Sequence, residues 1–198
     1  MGKRVVVIAS GETERRVLPH LLRPLAAEGI EIYEARTPPR SRLITVEMAV
    51  QLIRSVWFDL MPRGQAPQKI VVLVDADRKS VEETLAPLAG PIAERVKNLP
   101  VPVLVTAAKW HLEAWFFADS KGLRRWLGRD LGSVDPSKPD EIENPKLHLK
   151  NLLHDRGPYL ASTAEEIAQS LDVREIRRSP SFVRFEEAIR NGGRSQSP

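Results

Sequence analysis

The sequence predicts an α/β protein: an open, mostly parallel four-stranded sheet with helices on both faces and a helical C-terminal part. Three observations predict it. Val5-Val6-Val7-Ile8-Ala9 and Ile70-Val71-Val72-Leu73-Val74 are continuous apolar runs rich in β-branched residues, as strands buried on both faces of a parallel sheet are. Segments of helical periodicity stand between the strand-like runs, the alternation of a sheet covered on both sides. The two strongest strands each run straight into a polar turn, Ser10-Gly11-Glu12 and Asp75-Ala76-Asp77. In such sheets ligands bind beyond the carboxyl ends of the strands.

The elements follow in order. After the first strand, Gly11 permits a tight turn, and Ser10 or Thr13 can cap a helix. Val17, Leu18, Leu21, Leu22 and Leu25 then mark one apolar helical face, interrupted at Pro19 and Pro24. Ile30 to Tyr33 alternates as a second strand. Arg36 to Arg42 is a Pro-rich basic loop. Thr45 to Leu60 is helical, and Ile70 to Val74 is the third strand. Val81 to Val96 is helical but split near Pro87, Gly90 and Pro91, and Val101 to Thr106 is the fourth strand. Beyond about residue 107 the chain is helical and loop-rich, with helices expected around 110–117, 121–127, 164–171 and 182–189 and a polar loop over 132–145. Residues 1–190 are expected to form one domain, and the small polar tail 191–198 to be disordered.

The bulk numbers narrow the function. With 198 residues, 42% of them apolar, the chain can bury a real core. No apolar run approaches membrane-spanning length, and none has the form of a signal peptide. The absence of Cys excludes disulfides and thiolate metal sites, so a cytoplasmic protein is expected. The net charge of +4 and pI near 9.6 permit a polyanionic partner. Basic residues gather at Arg36, Arg40 and Arg42, and again at Arg174, Arg177 and Arg178. Solvated loops and helix ends explain such clusters equally well.

Asp75 and Asp77 are the sharpest candidates. Two residues apart in extended chain, they are expected to point to the same side. Adjacent carboxylates repel, and a divalent cation removes that cost. Hard oxygen ligands suit Mg²⁺ or Mn²⁺, and with them phosphodiester chemistry. The plainer alternative is that either aspartate caps the following helix. Glu12 and Glu14, in the first strand-to-helix loop, can approach the pair or simply favour a helix N-terminus. Arg78 and Lys79 stand where a phosphate would be met. Glu113, soon after the fourth strand, is either a paired structural acid or a site residue. His111 is a candidate acid/base, although a lone His is more often a local hydrogen-bonding group.

Together the motifs Ser10-Gly11-Glu12-Thr13-Glu14, Asp75-Ala76-Asp77, Glu113-Ala114-Trp115, Ala118-Asp119, Asn144-Pro145-Lys146 and Ser179-Pro180-Ser181-Phe182 resemble a bacterial Toprim-like family classed as domain of unknown function 4276. The wider Toprim group takes in topoisomerases, primases and nucleases of the overcoming-lysogenization-defect type. The resemblance implies a Toprim-like sheet and a nucleic-acid phosphodiester enzyme using Mg²⁺ or Mn²⁺. It also implies a role in defence against phage or other mobile DNA, beside a partner ATPase. It carries over Asp75, Asp77 and Glu113 but not the group's catalytic Glu; with the nearby Glu12 and Glu14 as its candidate replacements, Asp75, Asp77 and Glu14 are expected at the metal and Glu12, Glu14, Asp75, Asp77 and Glu113 in catalysis. Arg36, Arg40, Arg42, Arg78 and Lys79 are the residues expected to meet nucleic acid. One departure stands out: Ser10 occupies the position where the group has its first Glu. A serine is a poor base at neutral pH and no anionic ligand, so either Glu12 or Glu14 takes over or the domain is a binding module without catalysis. A third reading is a phosphohydrolase with Asp75 as nucleophile and Asp77 as its acid/base, a class that normally carries its nucleophile on the first strand.

Overall fold

A computed structural model of the protein describes residues 2–38 and 43–191. Arg40, Arg42 and residues 192–198, the main part of the tail expected to be disordered, lie outside the described residues. The four strands are β1 (Lys3–Ile8), β2 (Ile30–Arg36), β3 (Lys69–Asp75) and β4 (Val103–Ala108). They form one sheet in the order β2-β1-β3-β4, and every pairing is parallel. The expected fold class is therefore the observed one. Each strand lies within about two residues of its expected start, except that β2 and β4 run further toward their carboxyl ends.

The apolar runs are continuous because both faces of the sheet are covered. Val5, Val7, Val71 and Leu73 enter one core with α1 (Glu12–Leu21) and most of the C-terminal helices. Val6, Ile8, Ile70, Val72 and Val74 enter the other with α2 (Val46–Leu60), α3 (Val81–Leu85) and α4 (Ala89–Val96). The period of two in the strand backbone sends neighbouring side chains to opposite cores. Pro24 opens a 3₁₀ turn at Arg23–Glu28, ending the first helix where the sequence suggested. Pro91 falls in the first turn of α4, where its missing N–H costs little.

The C-terminal part contains α5 (Glu113–Ala118), α6 (Ser120–Leu127), α7 (Pro145–Leu152), α8 (Ala161–Ser170), α9 (Val173–Ile176) and α10 (Pro180–Arg190). Two of these, α7 and α9, were not expected. The start of α7 is nonetheless written in the chain: the Asn144 side chain accepts from the Leu147 amide, with Pro145 at the first helical position. Trp115 on α5 anchors α10, meeting Phe182 edge-on at 5.1 Å and stacking on Phe185 at 5.6 Å. At the other end of α10 the exposed carbonyls are taken by two lysines from the amino ends of the strands. Lys3 Nζ donates to Ile189 and Arg190 at 2.8 Å each. The fully buried Lys69 donates to the Asn191 carbonyl, and burial pushes its pKa down to about 8.

No helix among the described residues is long and apolar enough to cross a membrane. The Ser179-Pro180-Ser181 segment starts α10 over Asp140, which accepts from Ser181 N at 2.7 Å and from the hydroxyls of Ser179 and Ser181 at 2.5 and 3.0 Å. Trp115 Nε1 completes the group by donating to Ser181 Oγ at 2.8 Å. Asp140→Ala leaves these donors unmatched and removes charge-assisted bonds, and is expected to lower stability by about 2–3 kcal/mol in urea unfolding. A loss below about 0.5 kcal/mol would show that the network carries no weight.

Candidate functional site

Strands β1 and β3 are hydrogen-bonded neighbours, with Ile8 opposite Val72. Their carboxyl-end turns therefore meet in one cleft of about 320 Å³, lined by Ser10, Glu14, Asp75, Asp77, His111 and Lys146 among others.

Local chemistry places each carboxylate. Gly11 is the N-cap of α1 and offers no side-chain cap, so neither Ser10 nor Thr13 takes that role. The Ser10 hydroxyl instead donates to Glu14 Oε1 at 3.2 Å. Glu14, one turn into α1, is 6% exposed. Glu12 also lines the cleft but is tied up by arginines: Arg15 and Arg16 bond it at 2.6–2.9 Å and hold its carboxyl well down, at about 2. Of the two glutamates proposed for the first loop, Glu14 is the one inside the acidic group.

Beyond β3 the alternation expected of Asp75 and Asp77 stops. The ladder continues through Ala76 N to Ala108 O at 2.9 Å, then closes with Asp77 N donating to Trp110 O at 3.0 Å. At this bridge Asp77 has φ 50° and Trp110 φ 61°. The left-handed turn breaks the period of two, yet Asp75 and Asp77 line the same cleft. Asp77 turns to His111, whose Nε2 lies 2.9 Å from Asp77 Oδ1. The helix-capping alternative also falls. Ser80 caps α3, accepting from Glu83 N at 3.0 Å while Glu83 accepts from Ser80 N at 2.8 Å.

Glu113, 1% exposed at the start of α5, accepts from the Tyr159 hydroxyl at 3.0 Å and lies 3.5 Å from Lys146 Nζ. Burial, then the charge of Glu113, push the Tyr159 phenol up. Asp75 is raised well above the usual carboxylate range, first by burial and then by the charges of Glu14 and Glu113. Asp77 contributes least to that shift. Glu14 is raised by burial and by Glu113, against offsets from its own backbone amide, Lys146 and Ser10. Burial works against the charge on Lys146, but Glu113, Glu14 and Asp75 outweigh it and raise its pKa. The electrostatic unit is thus Glu14, Asp75 and Glu113 around Lys146.

Lys146, noted in the sequence only as part of the Asn144-Pro145-Lys146 motif, and Tyr159, not singled out at all, are partners of Glu113 to which sequence reasoning gave no role. The Asn144-Pro145 helix start was the available signal for Lys146. Nothing near Tyr159 in the sequence distinguishes it. Arg78 and Lys79 border the cleft on the Asp77 side. Arg36, at the end of β2, lies 3.6 Å from Asp59. The second basic cluster is paired within its own segment of the fold: Arg174 with Asp172, Arg177 with the buried Glu186, Arg178 with Glu175.

The family described as Domain of unknown function (DUF4276) matches residues 10–190, from the cleft serine to the end of α10. The chain belongs to that family. Among curated proteins, none matches this DUF4276 chain. Solved structures that do are C-terminal regions of OLD proteins. That of Xanthomonas campestris pv. campestris is 19% identical, with 94% of this chain and 96% of that one covered and a TM-score of 0.45. That of Burkholderia pseudomallei is 15% identical, with 96% and 100% covered and a TM-score of 0.43.

Whether this DUF4276 site suits a divalent ion turns on its donors. Among the described residues no three His, Asp or Glu groups are arranged to chelate one. Mg²⁺, however, is commonly held by one or two carboxylates, the rest of its shell being water and substrate phosphate. Glu14 and Asp75, hard oxygen donors whose charges oppose one another, fit such an ion.

The raised carboxyls also set a pH dependence. An acid whose pKa is raised by folding holds its proton more tightly in the folded chain than in the unfolded one. Its contribution is then full below the ordinary values of 3.8 for Asp and 4.5 for Glu, and is lost as pH rises through the folded value. Without divalent ions, the melting temperature is expected to fall from about pH 5 to pH 8. Asp75→Asn and Glu14→Gln are each expected to raise it at neutral pH and to flatten that fall. Unchanged pH profiles in both variants would contradict the assignment.

Proposed function

We propose that the protein is a Mg²⁺- or Mn²⁺-dependent enzyme that cleaves nucleic-acid phosphodiesters at this cleft. One observation carries the reading: Glu14, Asp75 and Glu113 are gathered around Lys146 at the carboxyl ends of adjacent parallel strands. Such a grouping raises the energy of the ion-free cleft and leaves it selective for cations and for the phosphates they accompany.

Glu14 and Asp75 would hold the ion, which when bound neutralises phosphate charge and makes its bound water more acidic. Ser10 orients Glu14 through its hydroxyl. Tyr159 and Lys146 fix Glu113. Lys146, kept protonated by its three acidic neighbours, meets the negative charge that develops on the phosphate. Asp77 orients His111 at the other wall of the cleft. Arg78 and Lys79, with the basic residues Arg36, Arg40 and Arg42, suit the flanking phosphates. The resemblance to the Toprim group, and the OLD proteins among the structural matches, extend the proposal to phage or mobile-element defence in the cytoplasm beside a partner ATPase.

Ser10 favours a second reading. With a hydroxyl where the group has a glutamate, the domain would bind nucleic acid or its partner without cutting. The two readings separate on incubation of the full chain with supercoiled DNA, single-stranded DNA and RNA in Mn²⁺ or Mg²⁺. Cleavage by the wild type, reduced at least about 100-fold in Asp75→Asn, is expected. No cleavage of any substrate by the wild type would sink the enzymatic reading and leave the binding module. Mg²⁺ is also expected to raise the melting temperature of the wild type, with no rise in Asp75→Asn; an equal rise in both would place the ion elsewhere.

A further inference from the structure

Next to the carboxylate cleft lies a second cavity of about 570 Å³, within the size range of sites for small organic ligands. The two share Leu43, Ile44, Asp75, Asp77 and His111, so they are compartments of one depression. Their chemistry differs. The second compartment is walled mainly by apolar groups, including Ile44, Pro87, Leu88 and Trp110. Arg78 and Lys79 stand at the same cavity, and Thr84 and Asn144 add neutral hydrogen-bonding groups.

We propose that this compartment takes the nucleobase of a nucleotide whose phosphate lies at Lys146 and the carboxylates. The inference rests on the reading of the cleft as a phosphodiester site and adds a base subsite to it. A planar, largely apolar group with polar edges suits a wall containing an indole, a proline ring and a leucine, with an amide and a hydroxyl within the same cavity. An anionic backbone suits the neighbouring Arg78 and Lys79. The indole is held by its backbone: Trp110 has φ 61°, a conformation rare for a bulky residue, and its carbonyl is fixed by the Asp77 amide. The same bridge that ties Asp77 to Trp110 sets the aromatic wall beside the cleft.

The test uses the full chain and two probes that differ in the base, adenosine 5′-monophosphate and ribose 5-phosphate. Binding is followed by ligand-observed NMR and by tryptophan fluorescence. The nucleotide is expected to bind at least about tenfold more tightly than the sugar phosphate, as stacking of one base typically gives. Trp110→Ala and, independently, Leu88→Glu should abolish that advantage, and both variants are checked for folding by circular dichroism. Lys146→Ala should weaken both probes alike. Equal affinity for the two probes, no binding of either, or an advantage that survives both wall variants would overturn the base subsite. Failure of the two readings is separable. Nucleic-acid cleavage without base preference removes the subsite and leaves the enzyme. Base preference in a protein that cuts neither DNA nor RNA leaves a nucleotide pocket and removes the nuclease.

Discussion

The structure is organised around the difficulty of keeping three carboxylates together away from bulk water. Glu14, Asp75 and Glu113 come from three separate parts of the chain, and burial and neighbouring negative charge act against the ionised forms of Glu14 and Asp75. A single nearby ammonium, Lys146, and one phenol, Tyr159, offset part of that cost. Both come from the helical C-terminal part, which is therefore no appendage to the sheet. It supplies the positive charge and the hydrogen-bond donor without which the acidic cleft between β1 and β3 would be far more costly to close.

The sequence made much of this legible, for reasons that differ by element. The buried parallel strands were readable because a strand covered on both faces must be apolar at every position, and Ile70–Val74 admits few other readings. The split between α3 and α4 followed from the backbone demands of Pro and Gly. Asp75 was a candidate because a carboxylate at the carboxyl end of a buried strand has few structural excuses, whereas Glu14 could not be told from Glu12, since either suits a helix N-terminus. The relation between Asp75 and Asp77 was not readable. It depends on a left-handed turn at a non-glycine residue, held by a backbone bond to Trp110, and no local pattern announces that. The pairing of Lys146 and Tyr159 with Glu113 was hidden for another reason. Each reaches Glu113 from more than 30 positions away, and long-range pairing leaves no periodic trace in a single sequence.

The bridge between Asp77 and Trp110 lies where the acidic and apolar compartments of the depression meet, and Asp75 and Asp77 line both. Two residues with uncommon backbone angles face each other at the ends of adjacent strands, and each stabilises the other's position. Strain of this kind persists only where the surroundings over-determine it. Here the surroundings are the continuing ladder between β3 and β4 on one side and the capped start of α3 on the other. Rigid elements therefore position both halves: Glu14, Glu113 and Lys146 lie on helices and Asp75 ends β3.

The lysines at the far edge of the sheet bear on how the chain reaches this state. Lys3 grips the end of α10 across a sequence separation of 186 and 187 residues, and Lys69 across 122. The aromatic face of α10 also completes the core against Trp115. Without α10 in place that core stays open on one side, and the parallel strands already demand distant pairings. High contact order of this kind slows folding and lengthens the time for which apolar surface is open to other chains. The helix α10 is thus the latch of the domain: its lysine-held end and its aromatic face close one core of the sheet together.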